Sequence, residues 1–313
     1  MSVYVIVNKF NLFLVVAFVV LACRTDKVPV KSYKTEYVVI VVMDGARYSE
    51  TFGDSTHQFI RCLADSMKSF GVVNHSFYNN GITNTTSGHV AITTGYYEDN
   101  INNGGSELPT FHSIFQDWIK QNGSESNDAW IIASKDKLEV LANTKQASWN
   151  NIYQPNSDCG ISGLGSGYRS DSITFERSIK VIGKHHPHFL LINFKDPDVY
   201  GHAGQWSNYL SSISKCDQYI YSLWKYIQQD EQMAGKTTLI VTNDHGRHTT
   251  DYVSHGDNCD GCRHIFLYAS GPDFVANRSL SVPRSMIDIH ATVSELFHLP
   301  NKRNGNVMTE LFN

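Results

Sequence analysis

Net charge is scarce in this chain: 26 Lys and Arg stand against 30 Asp and Glu, giving −4 overall. No basic field points to nucleic acid as a partner. No internal repeats are visible. Cysteine is sparse too, with six residues and a single CxxC, Cys259-Asp260-Gly261-Cys262. Without a second CxxC to complete four ligands, a zinc knuckle is disfavoured. The pair is open to a tight disulfide or to two free thiols.

An apolar run long enough to cross a bilayer is also lacking. Phe10 to Ala22 is almost unbroken apolar sequence, but at about a dozen residues it falls short of the roughly 20 that a helical span needs. With Lys9 before it, this run reads as the core of a signal peptide over residues 1–22. The small residue before Cys23 resembles a bacterial lipobox, which would make Cys23 a diacylglycerol-modified mature N-terminus. The expectation is export to the periplasm or cell surface, a membrane anchor at Cys23, and a polar tether over 23–35. Export would also permit disulfides among the five remaining cysteines.

What is present begins with a hydrophobic content of 41% over 313 residues, enough for one large core. Apolar runs predict strands at 37–43, 71–75, 129–133, 188–194, 237–242 and 264–269. Helical patterns fall at 57–70, 87–92, 109–121, 170–183, 207–229 and 285–297. Strands separated by helix-length segments indicate an α/β fold, doubly wound, with a largely parallel sheet and helices on both faces. Residues 36–313 read as one domain, and the Gly/Ser-rich stretch 160–167 as a surface loop or small lobe.

Three short clusters carry the chemistry: Asp198-Val199-Tyr200-Gly201-His202, Asp244-His245, and His255-Gly256 ten residues further on. Asp44 stands far upstream, directly after the first apolar run. Each lies just beyond an expected strand, where open α/β sheets bind ligands. Taken singly, each has a bland reading: a solvated turn aspartate, or a commonplace Asp-His pair. Together, three carboxylates and three imidazoles exceed what one tetrahedral zinc takes and suit two divalent metals. Asn84-Thr85-Thr86-Ser87-Gly88-His89 adds hydroxyls at a helix start, ordinarily an N-cap. A metal-bound threonine could instead serve as an alkoxide nucleophile, and the residue types do not choose between Thr85 and Thr86.

The ordered set resembles the alkaline phosphatase superfamily, and within it the nucleotide pyrophosphatase/phosphodiesterase branch. The likeness rests on Met43-Asp44-Gly45-Ala46-Arg47, on Thr85 and His89 placed ten and six residues before Gly95, and on Pro197-Asp198-x-x-Gly201-His202. It continues through Asn243-Asp244-His245-Gly246, His255-Gly256-Asp257-Asn258, Gly271-Pro272-Asp273-Phe274 and Ile287-Asp288-Ile289-His290. The resemblance implies that Asp198, His202 and His255 hold one zinc. It implies that Asp44, Asp244 and His245 hold the other, with the Thr85 oxygen as its nucleophilic ligand. It favours Thr85 over Thr86 by spacing, makes Asn103 the candidate for binding a phosphoryl oxygen, and leaves Arg47 as a further candidate if it faces the site. Two divalent ions would outweigh three carboxylates by one positive charge, which suits an anionic phosphoryl group.

Departures matter as well. The family's Thr-Phe-Pro-Asn-His is here Thr85-Thr86-Ser87-Gly88-His89, so nucleotide substrates do not follow. No Cys-x-Pro-x-Arg sulfatase signature is present, which favours phosphoryl over sulfuryl chemistry. No large cap insertion is evident. The expected activity is hydrolysis of a small-molecule phosphodiester, phosphomonoester or phosphonate through a phospho-threonine intermediate. The rivals are a phosphotransferase or mutase, and a non-catalytic surface protein that binds an anion through its metals.

Overall fold

Every residue of Tyr37–Met43 (β1) is buried, and the strand runs through the middle of the sheet. A continuous Val/Ile run takes this position because strands covered on both faces need apolar side chains in both directions. The computed structural model describes residues 1–2, 31–300 and 303–313, and Tyr33–Asn313 forms one contact unit. The expected signal peptide, Cys23 and most of the tether lie outside the described residues. Among the described residues, no helix is long and apolar enough to cross a membrane.

The remaining strands are Gly71–Tyr78 (β2), Ala129–Ala133 (β3), Asn156–Cys159 (β4), Phe189–Phe194 (β5), Thr237–Thr242 (β6), His264–Ser270 (β7), Arg278–Leu280 (β8) and Arg284–Ser285 (β9). They pair in the order β4-β3-β5-β1-β6-β7-β2-β8, with β9 also on β2. Pairing is parallel except on the two sides of β7, the one reversed strand of this sheet. The α-helices are Thr85–Thr94 (α1), Ile114–Asn122 (α2), Asp171–His185 (α3), Asp196–His202 (α4), Trp206–Gln229 (α5), Asp260–Arg263 (α6) and Ile287–Leu296 (α7).

Alternation along β1 divides the core in two. Val38, Ile40 and Val42 pack with apolar residues of α1, α2 and α7 on one face. Val39, Val41 and Met43 pack on the other with Ile182 of α3 and with Tyr209, Ile213, Ile220, Leu223 and Ile227 of α5. The doubly wound α/β expectation therefore holds.

One expected helix does not form. Over 57–70 there is only a short wide turn at Cys62–Ser66 and a 3-10 turn at Lys68–Phe70. The Asp54 carboxylate takes the Thr56 and Gln58 N–H groups into a local turn, and His57 sits at φ +48°. Asp217, reaching across from α5, then binds the N–H groups of Cys62 and Leu63. Short side-chain-to-backbone bonds of this kind compete directly with helix propagation. The 160–167 stretch is a series of turns that begins directly after β4.

Candidate metal centre

The carboxyl ends of β1, β2, β3, β5 and β6 and the amino end of β7 share one edge of the sheet, and every candidate residue gathers there. Asp44 follows β1, and Asp244 and His245 follow β6. Asp198 and His202 lie one turn apart on α4, a helix with Pro197 at its start, so both project from the same side. Thr85 is the first residue of α1, a helix buried along its whole length. Two glycines allow the close packing. Gly45 turns the chain at φ +69°, where a Cβ would come within 2.8 Å of the Asp198 carboxylate. A Cβ on Gly88 would lie 2.7 Å from the Asp244 carbonyl oxygen, so only glycine lets α1 sit this close to that loop.

His202 and His255 bring their Nε2 atoms to 2.9 Å of each other, and each is 3.4 Å from Asp198 Oδ1. His245 Nε2 stands 3.6 Å from Asp44 Oδ1 and 3.5 Å from Asp244 Oδ2. The His245 ring also stacks on His255 with centroids 3.9 Å apart, so it borders both groups. Asp44, Asp244 and His245 form one set of donors in ligating range, and Asp198, His245 and His255 form another. His202, half exposed, adds to the second from the solvent side. Assigning His245 to the Asp44 group alone is thus a choice made by the sequence resemblance, since the geometry lets it serve either.

Hydrogen bonding fixes how the imidazoles face. His245 Nδ1 lies 2.8 Å from the Gly246 carbonyl oxygen, and His255 Nδ1 lies 2.7 Å from that of Thr83. A carbonyl only accepts, so each Nδ1 carries the proton and each Nε2 presents a lone pair. His245 Nε2 and Asp244 Oδ2 are buried with no hydrogen-bond partner. Two lone-pair atoms facing each other in a dry site repel unless a cation lies between them. The residues present fit a divalent metal.

Burial by itself opposes ionisation of these carboxylates. At Asp44 and Asp198 that burial is outweighed by the Lys135 ammonium acting together with the neighbouring imidazoles, and with Arg247 at Asp198, which holds Asp44 below and Asp198 well below the usual range. Asp244, buried beside the Asp44 charge, is pushed well above it. Burial, assisted by His255, keeps His245 neutral, and burial brings His89 down to about 4. Neutral imidazoles are the form that ligates metal.

Lys135 was not singled out by the sequence. It is buried, and its Nζ donates to Asp44 Oδ1 at 2.9 Å, to Thr85 Oγ1 at 2.9 Å and to Asp198 Oδ2 at 2.6 Å. It follows β3 as Asp44 follows β1, so position beyond a strand was the available signal. Arg247 was missed as well. It is fully buried, with Nη1 2.5 Å from Asp198 Oδ1, and its other donors go to the carbonyls of Tyr252 and Val253. Asn193 on β5 orients Asp44 by a 2.9 Å bond to Oδ2. Removing the Lys135 charge by Lys135→Met should destabilise the metal-free protein by about 3–5 kcal/mol, since it leaves buried carboxylates uncompensated; urea unfolding after chelation measures this. A shift within error would show that Lys135 does not balance the cluster.

Asn103 lies at the start of α1, its Oδ1 accepting from the Thr86 N–H at 3.1 Å and from Lys137 Nζ at 2.9 Å. Arg47 departs from expectation. Its guanidinium makes a paired contact with Glu50, at 2.7 and 2.8 Å, and donates to the His248 and Thr249 carbonyls. Glu50, three residues on in a 3-10 turn, is close enough to capture it, and the cations among the site carboxylates are Lys135 and Arg247 instead. The hydroxyl cluster does not cap the helix either. Asn84 occupies the N-cap position without a side-chain cap, and Thr85 is already helical. A 210 Å³ cavity bordered by Phe52, His57, Leu63 and His75 includes none of these residues.

Asp and His donors converging at the ligand-binding edge of a mostly parallel sheet define a class, the α/β metalloproteins. Within it, the chain belongs to the Metalloenzyme superfamily, the alkaline phosphatase-like family, whose model matches residues 37–300. Family membership implies divalent metals. A 2,3-bisphosphoglycerate-independent phosphoglycerate mutase from Gracilaria tenuistipitata var. liui is 31% identical over 142 residues, 43% of this chain and 26% of the mutase. The GPI ethanolamine phosphate transferase 1 of Mus musculus is 28% identical over 246 residues, 70% of this chain and 24% of the transferase. The chain thus spans about a quarter of the length of the curated relatives it matches. Among solved structures, an alkaline phosphatase superfamily protein from Vibrio parahaemolyticus superposes with TM-score 0.67 at 15% identity, over 91% of this chain and 72% of that one. Murine ectonucleotide pyrophosphatase/phosphodiesterase 5 gives TM-score 0.64 at 17% identity, over 88% of this chain and 100% of its own. At such identities the structures speak for the fold alone.

Proposed function

We propose that the protein is a metal-dependent phosphohydrolase with Thr85 as nucleophile. Asp198, His202 and His255 would hold one divalent ion; Asp44, Asp244 and His245, with the Thr85 oxygen, would hold the other. The all-nitrogen-and-oxygen donor set suits zinc. The observation that carries this reading is the Thr85 hydroxyl itself, 3.3 Å from Asp44 Oδ1 and 2.9 Å from Lys135 Nζ, inside the ring of donors. Two divalent ions bound there supply the charge that lowers the pKa of a hydroxyl and neutralises a phosphoryl group.

The residues then divide the work. Thr85 loses its proton to water, its oxygen bonds to phosphorus, the ester P–O bond breaks, and the departing oxygen takes up a proton to leave as an alcohol. Lys135, on a flexible stem, can leave the carboxylates and follow the phosphoryl oxygens. Asn103, already bonded to the backbone of the nucleophile segment, presents its amide nitrogen to a phosphoryl oxygen. Water then attacks the phospho-threonine, breaks the P–O bond to Thr85 and restores its hydroxyl. Export through a signal peptide over 1–22 and a lipid anchor at Cys23 belong to the same proposal and rest on the apolar run after Lys9 and on Leu21-Ala22-Cys23; a single domain over 36–313 is supported by the one contact unit Tyr33–Asn313.

A second reading has an alcohol in place of water, because the curated relatives are a mutase and a transferase. Assaying aryl phosphomonoesters, phosphodiesters and phosphonates with and without a short polyol separates the two. Aryl alcohol released with no phosphorylated polyol supports the hydrolase, whereas a phosphorylated polyol as main product supports the transferase. No aryl release across the panel by metal-loaded protein rejects both.

A further inference from the structure

His248, Asp257, Cys259 and Cys262 converge in the loop between β6 and β7, their ligand atoms all within 4.8 Å of one another. None of them belongs to the Asp/His centre. His248 Nδ1 is the hub, 3.3 Å from Cys259 Sγ, 3.7 Å from Cys262 Sγ and 3.2 Å from Asp257 Oδ2. Zinc bonds of about 2.3 Å to sulfur and about 2.0–2.1 Å to nitrogen or oxygen give tetrahedral edges of about 3.5 Å for sulfur–nitrogen and about 3.3 Å for nitrogen–oxygen. The three separations from His248 Nδ1 lie close to those edges. Both cysteines are free thiols, so no disulfide competes for them in this structure.

From this geometry we infer a second, structural metal site in which Cys259, Cys262, His248 and Asp257 bind a thiophilic divalent ion, zinc by donor type, in a closed tetrahedron. Four protein ligands leave no open position, which marks a structural rather than a catalytic site. The backbone is built for it. Cys259 caps α6, the N–H groups of Cys262 and Arg263 bond to the Cys259 carbonyl, and the Cys262 carbonyl accepts from Gly246 N–H at 2.8 Å. The Cys259 N–H bonds to Asp257 Oδ1 at 2.9 Å, which aims the other carboxylate oxygen at His248. The chain has no second CxxC; the other two donors come from the same loop, eleven residues before Cys259 and two before it. The bound ion would clasp a segment that carries Arg247 and His255, fixing a proposed ligand of the neighbouring centre without touching it.

Cobalt substitution tests this apart from the phosphohydrolase reading, because no donor in the Asp/His centre is sulfur. Full-length protein is stripped by chelator under reductant and refilled with Co2+. The expected result is a thiolate-to-cobalt charge-transfer band with tetrahedral visible absorption, equal to one cobalt per chain. It should disappear in Cys259→Ser and Cys262→Ser and persist in Asp244→Asn. Zinc measured per chain on the native protein should fall by one equivalent in either serine variant. Cobalt binding by the wild-type protein without a thiolate band would overturn the site, whatever the variants do. A Cys259–Cys262 disulfide in freshly purified wild-type protein would overturn it too.

Discussion

Thr85→Ala is expected to lower turnover by about 10⁴-fold or more, leaving what positioning and charge alone provide. The loss should not come from unfolding. Thr85 is buried at the start of α1, and the substitution removes one hydroxyl and one methyl while keeping a good helix former. Among the described residues the hydroxyl bonds only to Asp44 and Lys135, which remain bonded to each other at 2.9 Å. The stability change should therefore be about 1 kcal/mol, a melting shift of about 2–4 °C. Six protein donors persist, so metal content should be unchanged. Acid-quenched wild-type enzyme should carry phosphate on Thr85, and Thr85→Ser should keep measurable activity. A well-folded, metal-loaded Thr85→Ala protein with undiminished turnover ends the assignment.

Chelation should have an equally large effect on turnover and a second effect on stability. With metal removed, Lys135 pairs with Asp44 and Asp198, and Arg247 with Asp198, while Asp244 Oδ2 and His245 Nε2 are left buried with no hydrogen-bond partner. Activity should fall to background and return with added zinc. A metal present at a thousandfold over its dissociation constant adds about 4 kcal/mol per site, hence about 8 kcal/mol for the two ions of the Asp/His centre, so the melting temperature should drop by roughly 15–30 °C on stripping. Full turnover by protein verified to be metal-free is the result that sinks the mechanism.

Much of this was readable from the chain. The Val/Ile run of β1 could only be a strand buried on both faces, and it ends at Asp44 because the sheet ends there. Long amphipathic patterns such as α5 announced themselves by period. The strands β4, β8 and β9 have four, three and two residues, too few for any periodicity, and exist through pairing with β3 and β2. The failed helix near Cys62 was lost to a local turn closed by Asp54 and to Asp217, whose reach from α5 no local window weighs. Among site residues, Asp and His showed through their spacing. Lys135 did not, because a long side chain acting over 91 residues of separation leaves no motif. Arg47 misled for the converse reason: adjacency to Asp44 in sequence said nothing of Glu50 in space.

The reversed strand β7 has a further consequence. Parallel neighbours must be joined by a crossover that carries the chain back to the far edge of the sheet. Between β6 and β7 the chain leaves and re-enters at the same edge, so Asp244, His245, His255 and the cysteine cluster all ride on one excursion anchored at both ends. Lengthening such an excursion costs little, about 0.6 kcal/mol for each doubling, and disturbs no strand register. The exposed stretch 249–251, between His245 and His255, is therefore where the loop can grow and change what borders the centre, while the ligands on either side stay anchored to the sheet.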